Sequence, residues 1–207
     1  MDCPLCQTIL SSKKDDEYFI CPTCGALVKD QKFYISLEEE KDRYEEHNND
    51  VHDTGYQKFT APVTQAILEN YEPHHIGLDY GCGTGPVISK MLSDQGYQLK
   101  LYDPFFYPDK DYLNHAYDYI YSCEVFEHFF RPRQEIEKLL TLLKPGGLLI
   151  IMTHLYNPAI NFANWYYRND PTHVFIYTRK TIRFIAAGFP VVIEDLDDRR
   201  IIFRKVK

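Results

Sequence analysis

The segment HHIGLDYGCGTGP, residues 74–86, constrains the fold of this chain more than any other part of its sequence. A short apolar run ends at Asp79, and glycines follow at positions 81, 83 and 85. Glycine has no Cβ atom, so it lets the main chain turn tightly and approach a ligand closely. A helix that begins after such a turn presents free N–H groups. The segment therefore predicts a strand, a glycine turn that faces a ligand, and a helix.

Most of the remaining chain alternates strands with helices. Helical apolar spacing occurs in residues 61–71, 86–96, 133–143 and 178–188, and strands are predicted at 97–103, 117–122, 147–153, 190–195 and 200–206. This alternation is typical of an α/β fold, in which helices cover both faces of a mostly parallel sheet. Only thirteen residues, 104–116, separate Asp103 from the next strand. That interval is too short for a helix, a strand and a second helix, so we expect a loop or a degenerate strand.

Four of the six cysteines form two C-x-x-C pairs near the start of the chain, namely Cys3, Cys6, Cys21 and Cys24. Their spacing is close to that of a four-thiolate zinc site, and four protein ligands make such a site structural. A segment this short buries little apolar area, so the ion is expected to supply most of its folding free energy. A redox function is less favoured, because no strand and helix of the thioredoxin kind follow. The predicted organisation is a zinc ribbon over 1–33, a helical connector or lid over 34–55, and the main domain over 56–207.

Composition limits the classes of partner. The formal net charge is −7, which argues against a broad nucleic-acid surface, although a local basic patch stays open. No apolar run reaches the length of a membrane helix, and MDCPLC resembles no signal peptide. We therefore expect a cytoplasmic protein that does not span a membrane.

The glycine turn itself favours one class of ligand. The spacing G-x-G-x-G differs from that of dinucleotide-binding turns, and no Lys followed by Ser or Thr is present as in a P-loop. The carboxylate of Asp79 would repel a pyrophosphate and attract an ammonium group. Asp103, at the end of the next strand, is placed to accept both hydroxyls of a ribose. A ribose and a cationic amino-acid group together predict S-adenosylmethionine.

Four motifs in order, LDYGCGTG, LYD, SCEVFEHF and LLKPGGLLIIMT, resemble those of the class I S-adenosylmethionine-dependent methyltransferases over about residues 56–207. The resemblance implies an α/β Rossmann-like sheet with strand order 3-2-1-4-5-7-6, of which the third strand is trimmed here. The segments EVFEHF and WYYRNDPTHVFIYT resemble the broad small-molecule and RNA methyltransferase group, which includes ubiquinone-type O-methyltransferases. The expected cofactor-binding residues are Tyr56, Asp79, Gly81, Cys82, Gly83, Gly85, Asp103, Pro104, Ser122 and Cys123.

Candidate catalytic residues follow the fourth and fifth strands of the main domain. Methyl transfer depends mainly on positioning, but a hydroxyl or amine acceptor must also lose a proton. Glu124, Glu127 and His128 are spaced to meet on one edge of a helical turn, where they could share a divalent ion. The same pattern in ubiquinone-type and small-RNA 2′-O-methyltransferases implies a magnesium-like site, which His173 would complete here. A histidine that only packs beneath the cofactor is the alternative.

Two further groups are candidates for ligand contact. Tyr44, His47 and Tyr56 precede or begin the first helix of the main domain, where a lid would lie; a solvated linker is the alternative. Asn161, Trp165, Tyr166 and Tyr167 could form an aromatic platform for the acceptor, or close the core.

The favoured function is S-adenosylmethionine-dependent methyl transfer to an O, N or C atom of a small-molecule acceptor, by an enzyme whose ribbon helps to position that acceptor. An rRNA or tRNA methyltransferase is the first alternative, but residues 1–33 hold four lysines against five carboxylates. A non-catalytic adaptor that retains the fold is the second. The sequence does not indicate which oligomeric state the protein adopts.

Overall fold

The computed structural model describes residues 1–45 and 50–206, and these form ten strands and six α-helices. The strands are β1 (Ser12–Lys13), β2 (Tyr18–Ile20), β3 (Leu27–Lys29), β4 (Ile76–Tyr80), β5 (Gln98–Tyr102), β6 (Tyr117–Cys123), β7 (Leu143–Met152), β8 (Phe175–Ile176), β9 (Val191–Leu196) and β10 (Arg200–Lys205). The helices are α1 (Leu37–Glu45), α2 (Thr54–Asn70), α3 (Val87–Ser93), α4 (Pro132–Leu142), α5 (Tyr166–Asn169) and α6 (Arg179–Gly188).

The main sheet has the strand order β5-β4-β6-β7-β10-β9. Strands β5, β4, β6 and β7 are parallel, whereas β10 is antiparallel to both of its neighbours. The prediction of a Rossmann-like methyltransferase sheet is confirmed, including the trimmed third strand. In the interval 104–116, all of which the structure describes, a 3-10 turn at Lys110–Asn114 replaces that strand.

Helices cover both faces of this sheet because strand side chains alternate between the faces. On one face, Val63 and Ile67 of α2 share a core cluster with Tyr119 and Ile150. On the other, helices α4 and α6 supply Ile136, Leu139, Ile182 and Ile185 to the cluster that contains Ile120 and Ile151. Helix α2 begins after Asp53, whose side chain accepts hydrogen bonds from the N–H groups of Gly55 and Tyr56.

The ribbon does not form a sheet by itself. Its third strand, β3, pairs with β8, a segment more than 140 residues away, to give the strand order β1-β2-β3-β8. Leu5 and Val28 of the ribbon belong to the same buried cluster as Leu78 of the main sheet. A short segment that cannot enclose its own core thus completes that core against the main domain.

The connector helix α1 lies against the segment that precedes β8. Arg43 Nη2 is 2.7 Å from Asp170 Oδ2, and the Tyr44 ring makes an edge contact with His128, with 5.4 Å between ring centroids. His47, a predicted ligand contact, lies outside the described residues. Among the residues that the structure describes, no helix has the length and hydropathy needed to cross a membrane.

Candidate active site

The glycine turn between β4 and α3 needs backbone conformations that other residues rarely adopt. Gly81 has a φ of 84° and Gly83 a φ of 63°. A Cβ atom on Gly81 would lie 2.4 Å from Val125 Cγ2. The N–H groups of Gly81 and Cys82 donate to the carbonyl oxygen of Tyr102, at 2.8 and 3.2 Å. The turn therefore folds back over the end of β5.

Asp103 links this turn to the loop after β5. Its Oδ2 accepts a hydrogen bond from Gly83 N at 3.0 Å, and its Oδ1 accepts from Phe105 N and Phe106 N at 2.9 and 3.1 Å. The carboxylate is buried, with 8% of the residue exposed. Since Oδ2 accepts only one of these bonds, it retains capacity for a ligand hydroxyl.

Asp79 lies beneath the turn at the end of β4. Its Oδ2 accepts a hydrogen bond from Ser89 Oγ at 2.7 Å, and Ser89 Oγ is 2.6 Å from the hydroxyl of Tyr121. Burial raises the pKa of Asp79 to about 7, and the nearby Asp103 charge acts in the same direction. The hydrogen bonds from Ser89 and Tyr121 oppose this shift. A cation placed beside Asp79 would stabilise its ionised form.

A single cleft collects several of the predicted cofactor residues. Its lining includes Tyr56, Thr60, Asp79, Gly81, Cys82, Gly85, Pro86, Val87, Ile88 and Cys123. Helix α2 contributes Tyr56 and Thr60 to this lining. The arrangement offers an acidic group, exposed backbone and apolar walls to one ligand.

Four predicted cofactor residues are not part of this lining, namely Gly83, Asp103, Pro104 and Ser122. Gly83 and Asp103 are bonded to each other, as described above. Ser122 is fully buried, and its hydroxyl donates to the carbonyl oxygen of Tyr80 at 2.8 Å. Pro104 is exposed at the start of the turn that Asp103 stabilises. Their contact with a cofactor stays a prediction.

Glu127, His128 and His173 lie together, with one potential ligand atom of each within 4.8 Å of the others. Glu127 is completely buried, and its Oε2 accepts a hydrogen bond from Thr153 Oγ1 at 2.9 Å. Its Oε1 accepts no hydrogen bond from the described part of the chain and lies 3.9 Å from His173 Nε2. A buried carboxylate oxygen without a hydrogen bond is costly, so a hydrogen-bond donor or a cation at this position would stabilise it.

Both histidines are held in one orientation by backbone carbonyl groups. His173 Nδ1 is 2.6 Å from Tyr167 O, and His128 Nδ1 is 3.1 Å from Thr172 O. Because a carbonyl oxygen only accepts, each Nδ1 carries the proton and each Nε2 presents a lone pair when the ring is neutral. Burial lowers the pKa of His173 to about 4, and the neighbouring His128 adds to this effect. The His173 ring is therefore neutral near neutral pH.

Glu124 does not join this group, contrary to the expectation from its spacing. Its φ is 53°, and the 3-10 turn that follows spans only Phe126–His128, so no regular helix places it above Glu127. Its Oε1 instead lies 3.7 Å from Arg199 Nη1. Burial raises the pKa of Glu124 to about 9, with the charge of Glu127 contributing in the same direction.

The predicted aromatic platform divides into an exposed and a buried part. Tyr166 is 58% exposed, and its hydroxyl accepts from Arg199 Nη2 at 2.5 Å. Trp165 and Tyr167 are buried, so they close the core, and Asn161 is exposed before the turn at Phe162–Asn164.

A groove of about 310 Å³ lies beside the cleft, lined by Phe59, Pro62, Met152, Asp197, Arg199 and Arg200. Met152 pairs in register with Cys123 of the cleft, so the two openings are neighbours at the same edge of the sheet. Arg199 and Thr153 are site residues that the sequence analysis did not identify. Thr153 directly follows β7, a position that could have suggested it, whereas no motif marks Arg199.

The four ribbon cysteines form the second metal-binding geometry among the described residues. The sulfur atoms of Cys3 and Cys24 are 3.6 Å apart, and those of Cys6 and Cys21 are 3.4 Å apart. A tetrahedral zinc ion with Zn–S bonds of about 2.3 Å would separate its sulfurs by about 3.8 Å. The four thiol groups therefore fit a structural zinc ion.

Comparison with protein families gives a match over most of the main domain. A family described as "Methyltransferase domain" matches residues 52–192. No curated protein matches the sequence significantly.

Solved structures share the fold at low sequence identity. A chain from the complex between the Haloferax volcanii Trm112 methyltransferase activator and a methyltransferase has a TM-score of 0.59 and 14% identity, covering 83% of this chain and 100% of that one. An O-methyltransferase family protein from Burkholderia thailandensis has a TM-score of 0.51 and 14% identity, covering 81% of this chain and 63% of its own. The mitomycin 7-O-methyltransferase MmcR has a TM-score of 0.52 and 11% identity, covering 82% and 67%.

Proposed function

Since this chain belongs to the methyltransferase domain family, we propose that it transfers a methyl group from S-adenosylmethionine to a small-molecule acceptor bound beside the glycine turn. It is a class I methyltransferase domain, and S-adenosylmethionine is the methyl donor that its family implies. The observation that carries the proposal is the position of two features at one sheet edge. The acidic, glycine-lined cleft follows β4, and the buried group of Glu127, His128 and His173 follows β6.

In this proposal the cleft residues bind the methyl donor, which supplies an electrophilic methyl group. Asp79 would stabilise the positive charge of the donor, and Asp103 Oδ2 would accept a ribose hydroxyl. Gly81 and Gly85, which have no Cβ atom, would allow the backbone to approach the ligand, while Tyr56 would cover it from α2.

The group of Glu127, His128 and His173 would hold or remove the acceptor proton. Each histidine offers an unprotonated Nε2 when neutral, and Glu127 offers an oxygen with no hydrogen-bond donor among the described residues. Such groups act as a general base within hydrogen-bond reach of a hydroxyl. Burial around Glu127 excludes water that would compete with the acceptor.

A divalent ion bound by the same three residues would assist by lowering the pKa of the acceptor hydroxyl. Two imidazole nitrogens and one carboxylate suit manganese, iron or zinc better than Mg²⁺, which prefers oxygen ligands. The Nδ1–H groups of His128 and His173 donate to carbonyl oxygens, as the second ring nitrogen of a metal-bound histidine generally does. We therefore replace the expected magnesium with a transition-metal ion. Electron paramagnetic resonance of added Mn²⁺ tests this ion site. Mn²⁺ binding is compared between wild type and His128→Ala, with zinc bound to the four ribbon cysteines in both proteins.

The size and charge of the neighbouring groove support a small acceptor. Its volume of about 310 Å³ is in the range of small-molecule pockets. The ribbon offers little to a polyanion, because Lys29 is buried and bonded to Pro171 O, and Lys14 bonds the hydroxyl of Tyr156. The protein carries a net charge of −7. A reducing compartment such as the cytoplasm would keep the ribbon thiols available for zinc.

The proposal is tested by changing the buried carboxylate and measuring turnover. Glu127→Gln keeps the side-chain shape but removes the charge, so we expect turnover to fall by about 100-fold or more with little change in donor affinity. The acceptor is first identified by S-adenosylhomocysteine release from a library of small hydroxyl and amine compounds, with structured RNA included as a separate arm.

Glu137→Gln is the matched control, because Glu137 is an exposed residue of α4 paired with Arg133. Equal turnover of Glu127→Gln and wild type would contradict the assigned role of Glu127. If S-adenosylhomocysteine is released only with RNA, and RNA binding weakens steeply as the salt concentration rises, the acceptor is RNA instead. No release with any acceptor, together with no binding of the donor, would favour an adaptor.

A further inference from the structure

The segment 166–174 supplies one residue of the catalytic group and is attached to the ribbon at several points. The hydroxyl of Tyr18 donates to His173 O at 2.6 Å, and Lys29 Nζ donates to Pro171 O at 2.9 Å. Arg168 Nε and Nη2 donate to Asp15 and Glu17, each at 2.9 Å. Side chains from three parts of the ribbon therefore determine where this segment lies.

One backbone unit connects the ribbon directly to Glu127. Lys29 N donates to Val174 O at 2.9 Å, and Val174 N donates to Glu127 O at 2.9 Å. Val174 is thus bonded to the ribbon through its carbonyl group and to the catalytic turn through its N–H group. A displacement of β3 would be transmitted to Glu127 and His173 together.

The same segment fixes both imidazole rings. Tyr167 O accepts from His173 Nδ1, and Thr172 O accepts from His128 Nδ1. Tyr18 and Tyr167 also pack in one buried cluster with Leu27 and Trp165. If the segment moves relative to the turn Phe126–His128, the hydrogen bond between His128 and Thr172 O is lost and the proton distribution on the His128 ring changes. The bond between His173 and Tyr167 O lies within the segment and moves with it.

We propose that the zinc ribbon is a positioning element of the active site, and that Tyr18 is a positioning residue that holds His173 and His128 with their Nε2 lone pairs toward Glu127. A role of this arrangement in catalysis rests on the proposed function, whereas the positioning of the two histidines by the ribbon does not depend on it. A ribbon that only stabilises the fold, or that only binds a partner, would leave the imidazole tautomers unchanged when Tyr18 loses its hydroxyl.

The experiment compares two tyrosines that make the same kind of bond. Tyr18→Phe removes the hydroxyl bonded to His173 O, and Tyr117→Phe removes the buried hydroxyl bonded to Tyr112 O at 2.8 Å in the main domain. Each change removes one hydrogen bond worth about 1 kcal/mol, so the variants are matched in stability. Long-range ¹H–¹⁵N spectra of ¹⁵N-histidine protein report the tautomer of each ring, with His128 and His173 assigned from single His→Gln variants.

We expect the Nδ1–H tautomer for both rings in wild type and in Tyr117→Phe, and an increased Nε2–H population of His128 in Tyr18→Phe, because only the His128 bond joins the turn to the segment. Zinc-depleted wild type should show the same change of the His128 ring. Unchanged tautomers in folded Tyr18→Phe would overturn the proposal. If Tyr18→Phe fails to fold, Arg168→Gln replaces it, since it removes the bonds to Asp15 and Glu17, and the same comparison decides.

The readout needs neither an acceptor nor turnover, so it separates the two proposals. Failure of wild type to bind S-adenosylhomocysteine in calorimetry would contradict the proposed function, and the tautomer spectra would still decide whether the ribbon positions the histidines.

Discussion

At the scale of single residues, the site depends on acidic groups that are buried next to a position suited to a cation. Asp79 is 5% exposed, and its pKa of about 7 reflects burial without a positive partner among the described residues. None of the described groups that interact with it is positively charged; they are Ser89, Tyr121, the carboxylate of Asp103, Tyr56, Cys82 and Cys123. A cationic ligand would supply the missing charge.

Donor affinity is therefore predicted to depend on pH through Asp79. The pKa of Asp79 is raised from 3.8 to about 7, so a fraction of the protein carries a protonated Asp79 near neutral pH. A bound cation favours the ionised form, so affinity should rise between about pH 6 and pH 8, and binding near pH 7 should release a proton. Calorimetry with S-adenosylmethionine in two buffers of different ionisation enthalpy measures this release.

Asp79→Asn is the control, because it removes the titrating group and should bind more weakly with no proton release. In the unliganded protein, the free energy of unfolding should decrease as the pH rises, whereas donor affinity increases. Because folding raises the pKa of Asp79, ionisation of its carboxylate lowers the free energy of unfolding as the pH rises from about 4 through about 7. An unchanged affinity profile in Asp79→Asn would contradict the assignment.

At the scale of elements, the turn between β4 and α3 is the structure on which the cleft depends. Gly81 combines a positive φ with a close side chain, because a Cβ atom would meet Val125 Cγ2 at 2.4 Å. Gly146 has a similar φ of 79°, but a Cβ atom there would meet no described atom within 4 Å. Comparing alanine substitutions at these two glycines therefore distinguishes the effect of backbone strain from the effect of a steric clash.

Gly81→Ala should therefore abolish donor binding, whereas Gly146→Ala should leave it unchanged. Both variants pay about 1–2 kcal/mol for the left-handed conformation, and only Gly81→Ala must also displace Val125. Chemical denaturation and calorimetry with S-adenosylhomocysteine measure the two effects. Normal binding by Gly81→Ala would show that the turn does not contact the ligand.

At the scale of the whole molecule, the ribbon and the main domain share one folded core. Trp165 is the only tryptophan of the sequence, and it packs in a cluster with Tyr18 and Leu27 of the ribbon. Removal of zinc should therefore expose Trp165, with a red shift of its fluorescence and a lower melting temperature. An ion-free ribbon that unfolds alone, with unchanged Trp165 fluorescence, would contradict a shared core.

Local patterns predicted most of the fold, because alternation of apolar residues and the glycine turn are properties of neighbouring residues. The absent third strand followed from the thirteen residues between Asp103 and Tyr117. The pairing of β3 with β8 left no such signal, because residues 28 and 175 are far apart in the sequence. The ribbon was therefore predicted as an appendage, without its attachment to the segment that carries His173.

The candidate site was predictable to a similar extent. Glu127, His128 and His173 were predicted together and lie together. Glu124 was placed with them on helical spacing, but its left-handed backbone turns it toward Arg199. Contacts made by a backbone carbonyl group, such as Thr172 O with His128, depend on tertiary structure and carry no residue-type signature.

The central claim is that the cleft lined by Asp79 and Gly81, with Asp103 bonded to the neighbouring Gly83, binds a cationic methyl donor rather than a nucleotide polyanion. Competition calorimetry on the zinc-loaded wild-type protein tests it most directly. We predict that S-adenosylmethionine binds with one site per chain and that neither ATP nor NADH displaces it. Binding of NADH or ATP in this cleft, with S-adenosylmethionine unable to compete, would contradict the account.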